Sequence, residues 1–121
     1  MKLEIFPQEF SVCKLAPGTP LPKGIVFFAR TDSENSLVCE TAQLPSKTEI
    51  CETDWRMFRV AGSLEFSLLG ILARITSILA EAGVSVFCVS TYDTDYILVK
   101  STSLEKAVQA LSENDYTIAY L

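Results

Sequence analysis

Apolar residues recur at two periods along this chain, and the change of period marks its elements. From Leu68 onward the positions Leu68, Ile71, Leu72, Ile75, Leu79 and Ala82 fall at steps of three and four. That spacing lines one face of an α-helix. Ser67 is placed to cap it, because a hydroxyl oxygen accepts an otherwise unpaired N–H of the first turn. Gly83 is placed to stop it, because a residue without Cβ adopts positive φ cheaply. Leu104, Ala107, Val108 and Leu111 repeat the pattern in a second helix, opened by Ser103 and closed by Asn114. Met57–Ala61, Val84–Thr91, Tyr96–Lys100 and Thr117–Leu121 are half-apolar or rich in β-branched and aromatic residues and read as strands. Tyr92-Asp93-Thr94-Asp95 is the polar turn between the middle two. The order β-α-β-β-α-β is the split βαβ arrangement, an antiparallel sheet with both helices on one face. Val84, Val86 and Cys88 point to one side of their strand, and Phe87 and Val89 to the other. The second face therefore needs a cover, either the N-terminal half or another subunit.

The first half reads as the same unit without its helices. Phe10–Leu15, Ile25–Thr31 and Ser36–Glu40 are strand-like. Between the first two, Ala16–Pro22 holds three prolines, which remove donors and fix φ, so no long helix forms there. Thr41–Asp54 reads as a loop with one helical turn, and Trp55 leads into the second half. An internal repeat is visible: Ile25–Thr31, an acidic turn and Ser36-Leu37-Val38 resemble Val86–Thr91, an acidic turn and Ile97-Leu98-Val99, once one gap is allowed. The expected organisation is α+β, with a truncated half over residues 1–55 and a complete one over 56–121.

Composition narrows the function. The chain has 121 residues, of which 49% are hydrophobic and 21% charged with both signs interspersed. That composition folds. The formal net charge is -5, and no basic run stands out, so neither nucleic acid nor an anionic membrane is an expected partner. No stretch is long and apolar enough for a bilayer span. Met1-Lys2-Leu3-Glu4 lacks the apolar run of a signal peptide, and the expected location is the cytoplasm. The four cysteines form no CxxC pair and the chain has no histidine, so no metal site is expected. The cysteines read as reduced, mostly buried thiols. Without histidine, a GxSxG, a P-loop or a GxGxxG, no catalytic residue is assigned, no enzyme is expected and no cofactor is implied.

Candidate chemistry collects at one loop and one turn. The loop from Gly62 to Gly70, with Ser63, Phe66, Ser67, Leu68 and Leu69, ends at a helix N-terminus. Unpaired N–H groups and the positive end of the helix dipole suit a carboxylate there. Asp93 and Asp95 in the turn suit an ammonium group, or else serve as turn residues bonding their own backbone. Ser36, Leu37 and Val38 offer backbone groups from the first half, or form a plain half-buried strand.

Gly70-Ile71-Leu72-Ala73-Arg74-Ile75, followed by Leu79-Ala80-Glu81-Ala82-Gly83-Val84-Ser85-Val86, resembles the core signature of ACT domains, which are regulatory modules that bind amino acids. Val89-Ser90-Thr91-Tyr92-Asp93-Thr94-Asp95-Tyr96-Ile97-Leu98-Val99 resembles the hairpin of the CASTOR-like ACT subfamily, and Glu34-Asn35-Ser36-Leu37-Val38-Cys39 its first-half motif. That subfamily includes animal cytosolic arginine sensors and short bacterial proteins of this size. The resemblance implies two ACT-like, ferredoxin-like halves, an amino-acid ligand held at an ACT–ACT interface with Asp95 as the ammonium partner, and a homodimer. The chain departs from the pattern at three places: Asn35 replaces the usual leucine of the first-half motif, and the other two fall in the loop that would meet ligand. Ser67-Leu68-Leu69-Gly70 stands where many ACT domains have Asp-x-Pro-Gly, and Leu68 stands where the arginine sensors have an acid. The two loop departures imply a ligand other than arginine, or a structural or interaction module that has lost its ligand. Glu65 is the acid nearest to Leu68.

Overall fold

Ile50–Asp54, expected within a loop, is extended. It opens the strand Ile50–Val60, whose first five residues are mostly exposed. No alternation of apolar residues announces it; pairing of its backbone with Phe10–Lys14 makes it a strand. In this computed structural model, which describes residues 1–62 and 70–121, the strands are β1 (Lys2–Ile5), β2 (Phe10–Lys14), β3 (Val26–Arg30), β4 (Asn35–Glu40), β5 (Ile50–Val60), β6 (Phe87–Ser90), β7 (Asp95–Lys100) and β8 (Thr117–Tyr120). The α-helices are α1 (Ile71–Glu81) and α2 (Leu104–Glu113). Two compact units result: Gln8–Trp55, and Met1–Pro7 joined to Arg56–Leu121.

In the larger unit the strand neighbours run β6, β7, β5, β1, β8. The C-terminal residues supply the expected βαββαβ order, but the N-terminal strand β1 enters between the first and last strands. It pairs antiparallel with β5 and parallel with β8. The parallel pair is one departure from the expected antiparallel sheet. Leu3 and Ile5 anchor the insertion, wholly buried beside Phe58, Val60, Ile75, Leu79, Ile97, Val99, Ala107 and Leu111. Burying each such side chain is worth about 1.5–3 kcal/mol. Arg59 pins the same strand from outside, ion-paired with Glu4 at 3.0 Å directly across the ladder.

Helix α1 begins at Ile71 with Gly70 as its cap, at φ 77°. The cap expected at Ser67 is therefore displaced three residues along the chain, and Ser67 itself lies outside the described residues. The end is as expected. Gly83 sits at φ 77°, its N–H donates to Ala80 O (3.0 Å) and the N–H of Val84 to Leu79 O (2.9 Å). This double bond satisfies two carbonyls of the last turn. Helix α2 ends the same way without glycine: Asp115 holds φ 70°, and Tyr116 N–H reaches Leu111 O at 3.1 Å. Val84 thus closes a helix instead of starting a strand, which is why β6 begins only at Phe87. Val86 and Cys88 pack toward the helix-side core as expected, and Phe87 and Val89 are half-buried. Met57 and Leu98 are fully buried.

In the smaller unit the strands run β3, β4, β2, β5, all antiparallel. Numbering its four strands in chain order gives the spatial order 4-1-3-2, that of a split βαβ sheet. Both crossovers are loops in place of helices: residues 15–25, and residues 41–49 with one 3-10 turn at Thr41–Gln43. A small core of Cys13, Leu15, Leu37 and Cys39, with Val26, Leu44 and Cys51 against it, lies on one face.

The two units repeat each other without a gap. Arg30 pairs with Asn35 and Phe27 with Val38; Ser90 pairs with Asp95 and Phe87 with Leu98. Each residue of the second hairpin carries the number of its counterpart plus 60. Strands β4 and β7 share one burial pattern, and each leads into a 3-10 turn, at Thr41–Gln43 and Ser101–Ser103. Leu37 therefore corresponds to Ile97, not to Leu98 as the gapped reading had it.

Candidate functional site

The turn between β6 and β7 is built by two threonines. Thr91 closes it locally, its N–H donating to Thr94 O at 2.9 Å and its hydroxyl to the same oxygen at 3.1 Å. Thr94 is 6% exposed, and its hydroxyl donates to Val60 O at 2.7 Å. That bond crosses from the turn to Val60, the last residue of β5, where the chain leaves the sheet. A buried hydroxyl without a partner would cost about 1–3 kcal/mol, so the bond fixes the turn beside the loop exit.

Asp95 follows the turn as the first residue of β7. Across the ladder from it, Ser90 donates its hydroxyl to Asp95 Oδ1 at 2.5 Å. Cys88, two residues back on the same face, has its thiol pushed up, first by burial and then by the charge of Asp95. The carboxylate is half-buried, held by one hydroxyl and flanked by a neutral thiol. A carboxylate has about four lone-pair sites, so one bond from Ser90 leaves room for an ammonium group. Asp93 sits exposed at the tip of the turn, beside exposed Tyr92.

Gly62 and Gly70, on either side of residues 63–69, both have left-handed φ (82° and 77°) and nothing near the position a Cβ would take. An L side chain at either would strain the backbone. The N-terminus of α1 presents its first-turn N–H groups there, with no acidic residue in that turn and no side-chain cap. Ser63, Phe66, Ser67, Leu68 and Leu69, all named from the sequence, lie outside the described residues. Ser36, Leu37 and Val38 belong to the smaller unit. There β4 is an interior strand with partners on both sides, and its backbone groups are shared between those ladders. Sequence reasoning passed over Ser90 and Thr94. Ser90 was signalled by its place opposite Asp95 across a four-residue turn. Thr94 had no such signal, since a threonine in a turn reads as solvent-facing.

Among the described residues no group of three or more His, Cys, Asp or Glu side chains could hold a metal ion, and no helix is long and apolar enough to cross a membrane. The thiols of Cys13 and Cys39 are pushed up, chiefly by burial, Cys39 to about 11. Both are therefore neutral and unreactive near pH 7.

Comparison with known proteins connects this geometry to relatives. The family model described as "ACT domain" matches residues 50–113. The human cytosolic arginine sensor for mTORC1 subunit 1 is 30% identical over 113 residues, covering 86% of this chain and 34% of the sensor. The chain thus spans about a third of the length of the curated relatives it matches. An X-ray crystal structure of a protein from Agobacterium tumefaciens superposes with a TM-score of 0.87 at 30% identity, over 99% of this chain and 92% of that one. The aspartate kinase of Synechocystis superposes with a TM-score of 0.68 at 16% identity, over 98% of this chain and 27% of the kinase. At that identity the likeness is one of fold.

Proposed function

This chain belongs to the ACT domain family, and on that premise we propose that it is a non-catalytic cytoplasmic sensor that binds a small amino acid and acts by regulation. The ligand's ammonium group meets Asp95, and its carboxylate meets the N-terminus of α1. The observation that carries this reading is the bond from Thr94 to Val60 O, which holds the acidic hairpin beside the exit of the glycine-bracketed loop. A small zwitterion needs two poles a few ångströms apart, and this bond fixes the Asp95 pole against the end of β5, the strand that precedes α1 in the chain. The similarity to a cytosolic arginine sensor supports the ligand class.

The ligand is neutral in its side chain. Leu68 offers no acceptor to a guanidinium, which keeps its charge in any protein setting. An unpaired buried charge costs several kcal/mol, enough to remove micromolar affinity. The pocket is completed at an ACT–ACT interface in a homodimer, where a second copy covers what one copy leaves open.

A thermal-shift screen against the twenty amino acids tests the proposal. A ligand at a hundred times its Kd stabilises the fold by about 2.7 kcal/mol. Asp95→Ala removes the shift and leaves the unliganded fold intact. Light scattering at micromolar concentration gives a dimer mass. Arginine binding more tightly than leucine, threonine or glutamine overturns the neutral ligand and points to Glu65 as the acceptor. A second reading, a structural module without ligand, draws on the bond from Ser90, which occupies Asp95 within the protein. It predicts no shift with any amino acid.

A further inference from the structure

The repeat between the two units ends at their crossovers. In the larger unit, α1 and α2 pack over the face that carries Cys88, Ile97 and Val99. In the smaller unit the corresponding face carries Phe28, Leu37 and Cys39, and loops replace both helices. Three prolines between Ala16 and Pro22 forbid the first helix, and the loop does not fill its place. A cavity of about 860 Å³ remains, open to solvent. Phe28 is 36% and Leu21 49% exposed at it.

The ladders place one row of side chains at that cavity. At the turn end of the sheet, Arg30 on β3 pairs with Asn35 on β4. Leu15, just past β2, donates its N–H to Asn35 O at 2.8 Å. The β2–β5 register carried one residue further sets Glu49 beside Leu15. The row therefore reads cation, amide, aliphatic, anion, over three strand spacings of about 4.8 Å each. The next row, Phe28, Leu37, Cys13 and Cys51, is apolar. All four residues of the first row, and Phe28, line the cavity. The side chains of Arg30, Asn35 and Glu49 have no partner among the described residues. The counterpart of Arg30 in the larger unit is Ser90, and that of Asn35 is Asp95. The same hairpin thus carries a carboxylate steadied by a hydroxyl in one unit and a guanidinium beside an amide in the other.

We propose that this cavity, on the helix-free face of the smaller unit, is a second ligand site, for a zwitterion of amino-acid or dipeptide size with an apolar side chain. Arg30 takes the carboxylate, by the paired N–H bonds that a guanidinium offers. Asn35 donates a further bond, Glu49 takes the ammonium, and Phe28 with Leu21 covers the apolar side chain. The site is independent of Asp95.

Backbone amide NMR of the full chain titrated with leucine, phenylalanine and leucyl-phenylalanine tests it. At least one of the three shifts the amides of Leu15–Leu21 and Phe28–Asn35, with saturation. Arg30→Glu, a change at an exposed position on an edge strand, weakens that binding about tenfold or more, and Glu49→Lys does likewise. Asp95→Ala leaves it unchanged, so failure here and failure of the Asp95 site are read separately. Three results overturn the proposal: no saturable shift at these amides with any probe, equal binding by Arg30→Glu, or shifts there that follow protein concentration instead of ligand. The last would assign the face to a second copy of the chain.

Discussion

Hairpins Val26–Glu40 and Val86–Lys100 share register and turn geometry, and their second strands share burial, yet they sit in units of different character. Thr31 and Thr91 close their turns with the same bond, N–H to the carbonyl three residues on, at 2.9 Å in both. What differs lies outside the hairpins. After β5 the chain offers a helix-period run and a left-handed Gly70, and a helix covers the sheet. After β2 it offers Pro17, Pro20 and Pro22, and no helix forms. A sheet can therefore hold its register on backbone pairing and a few buried side chains, while the crossover sequence decides whether its face is a core or a cavity. Chemistry then diverges at matched positions: Asp95 against Asn35, Ser90 against Arg30, buried Thr94 against exposed Glu34.

The largest effect that sharpens this contrast comes from the matched pair Ile97 and Leu37, both 0% exposed. Ile97 lies under both helices, in close-packed surroundings that relax little when a side chain is cut. Leu37 lies in a smaller cluster beside an open cavity, where neighbours and water adjust more easily. Ile97→Ala costs about 4 kcal/mol and Leu37→Ala about 2. Urea unfolding of the two variants checks this. Equal losses would mean that the smaller face is packed as tightly as the larger, and the cavity would lose its significance.

The contrast was partly legible before any coordinates. Ile71 to Ala82 and Leu104 to Leu111 announce helices, because burial on one face of a helix forces a period near 3.6. The prolines announce their absence. Strand β1 was missed although Leu3 and Ile5 alternate, because four residues carry too little pattern to be told from a chain end. Ile50–Asp54 was missed for the opposite reason. Its side chains face water, and only backbone bonds make it a strand. The helix start was misread because Ser67 has a capping side chain and Gly70 does not, yet a left-handed backbone at Gly70 starts α1 without one. At the site, Asp95 was legible as an acid in a turn. Its partner Ser90 and the latch at Thr94 required the register, which one gap in the repeat had shifted by a residue.

A middle-sized effect tests that latch. Thr94→Val keeps the shape of the side chain and removes the hydroxyl, which leaves Val60 O without its 2.7 Å donor. The expected loss is about 1–2 kcal/mol. It comes with a weaker ligand-induced thermal shift, since the turn no longer keeps station at the loop exit. At the matched position, Glu34→Thr changes stability by no more than about 0.5 kcal/mol, because Glu34 is exposed. If Thr94→Val left stability and ligand response intact, the hairpin would be held by its local bonds alone, and the two turns would be equivalent after all.

The smallest effect is silent at neutral pH and appears only in alkali. Cys39 corresponds to Val99, so one unit buries a thiol where the other buries a methyl pair. Burial, followed by the charges of Cys51 and Glu40, pushes the Cys39 thiol up to about 11. In the unfolded chain it ionises near 8.5. Between those values the unfolded state sheds the proton and the folded state keeps it, so the unfolded state is favoured as pH rises. The thiol's contribution to stability is thus whole below about pH 8.5, and is lost as pH climbs through about 11. Cys13, raised in the same direction chiefly by burial, adds to the loss. Cys39→Val installs the counterpart residue and removes one of the two contributions. Urea midpoints measured from pH 7.5 to pH 11, under reducing conditions, fall for the wild type and fall less steeply for Cys39→Val, while the two agree closely at pH 7.5. Identical slopes would show that Cys39 ionises in the folded state as readily as in the unfolded one. The small core would then admit water, and the difference between the two units would extend from their faces into their interiors.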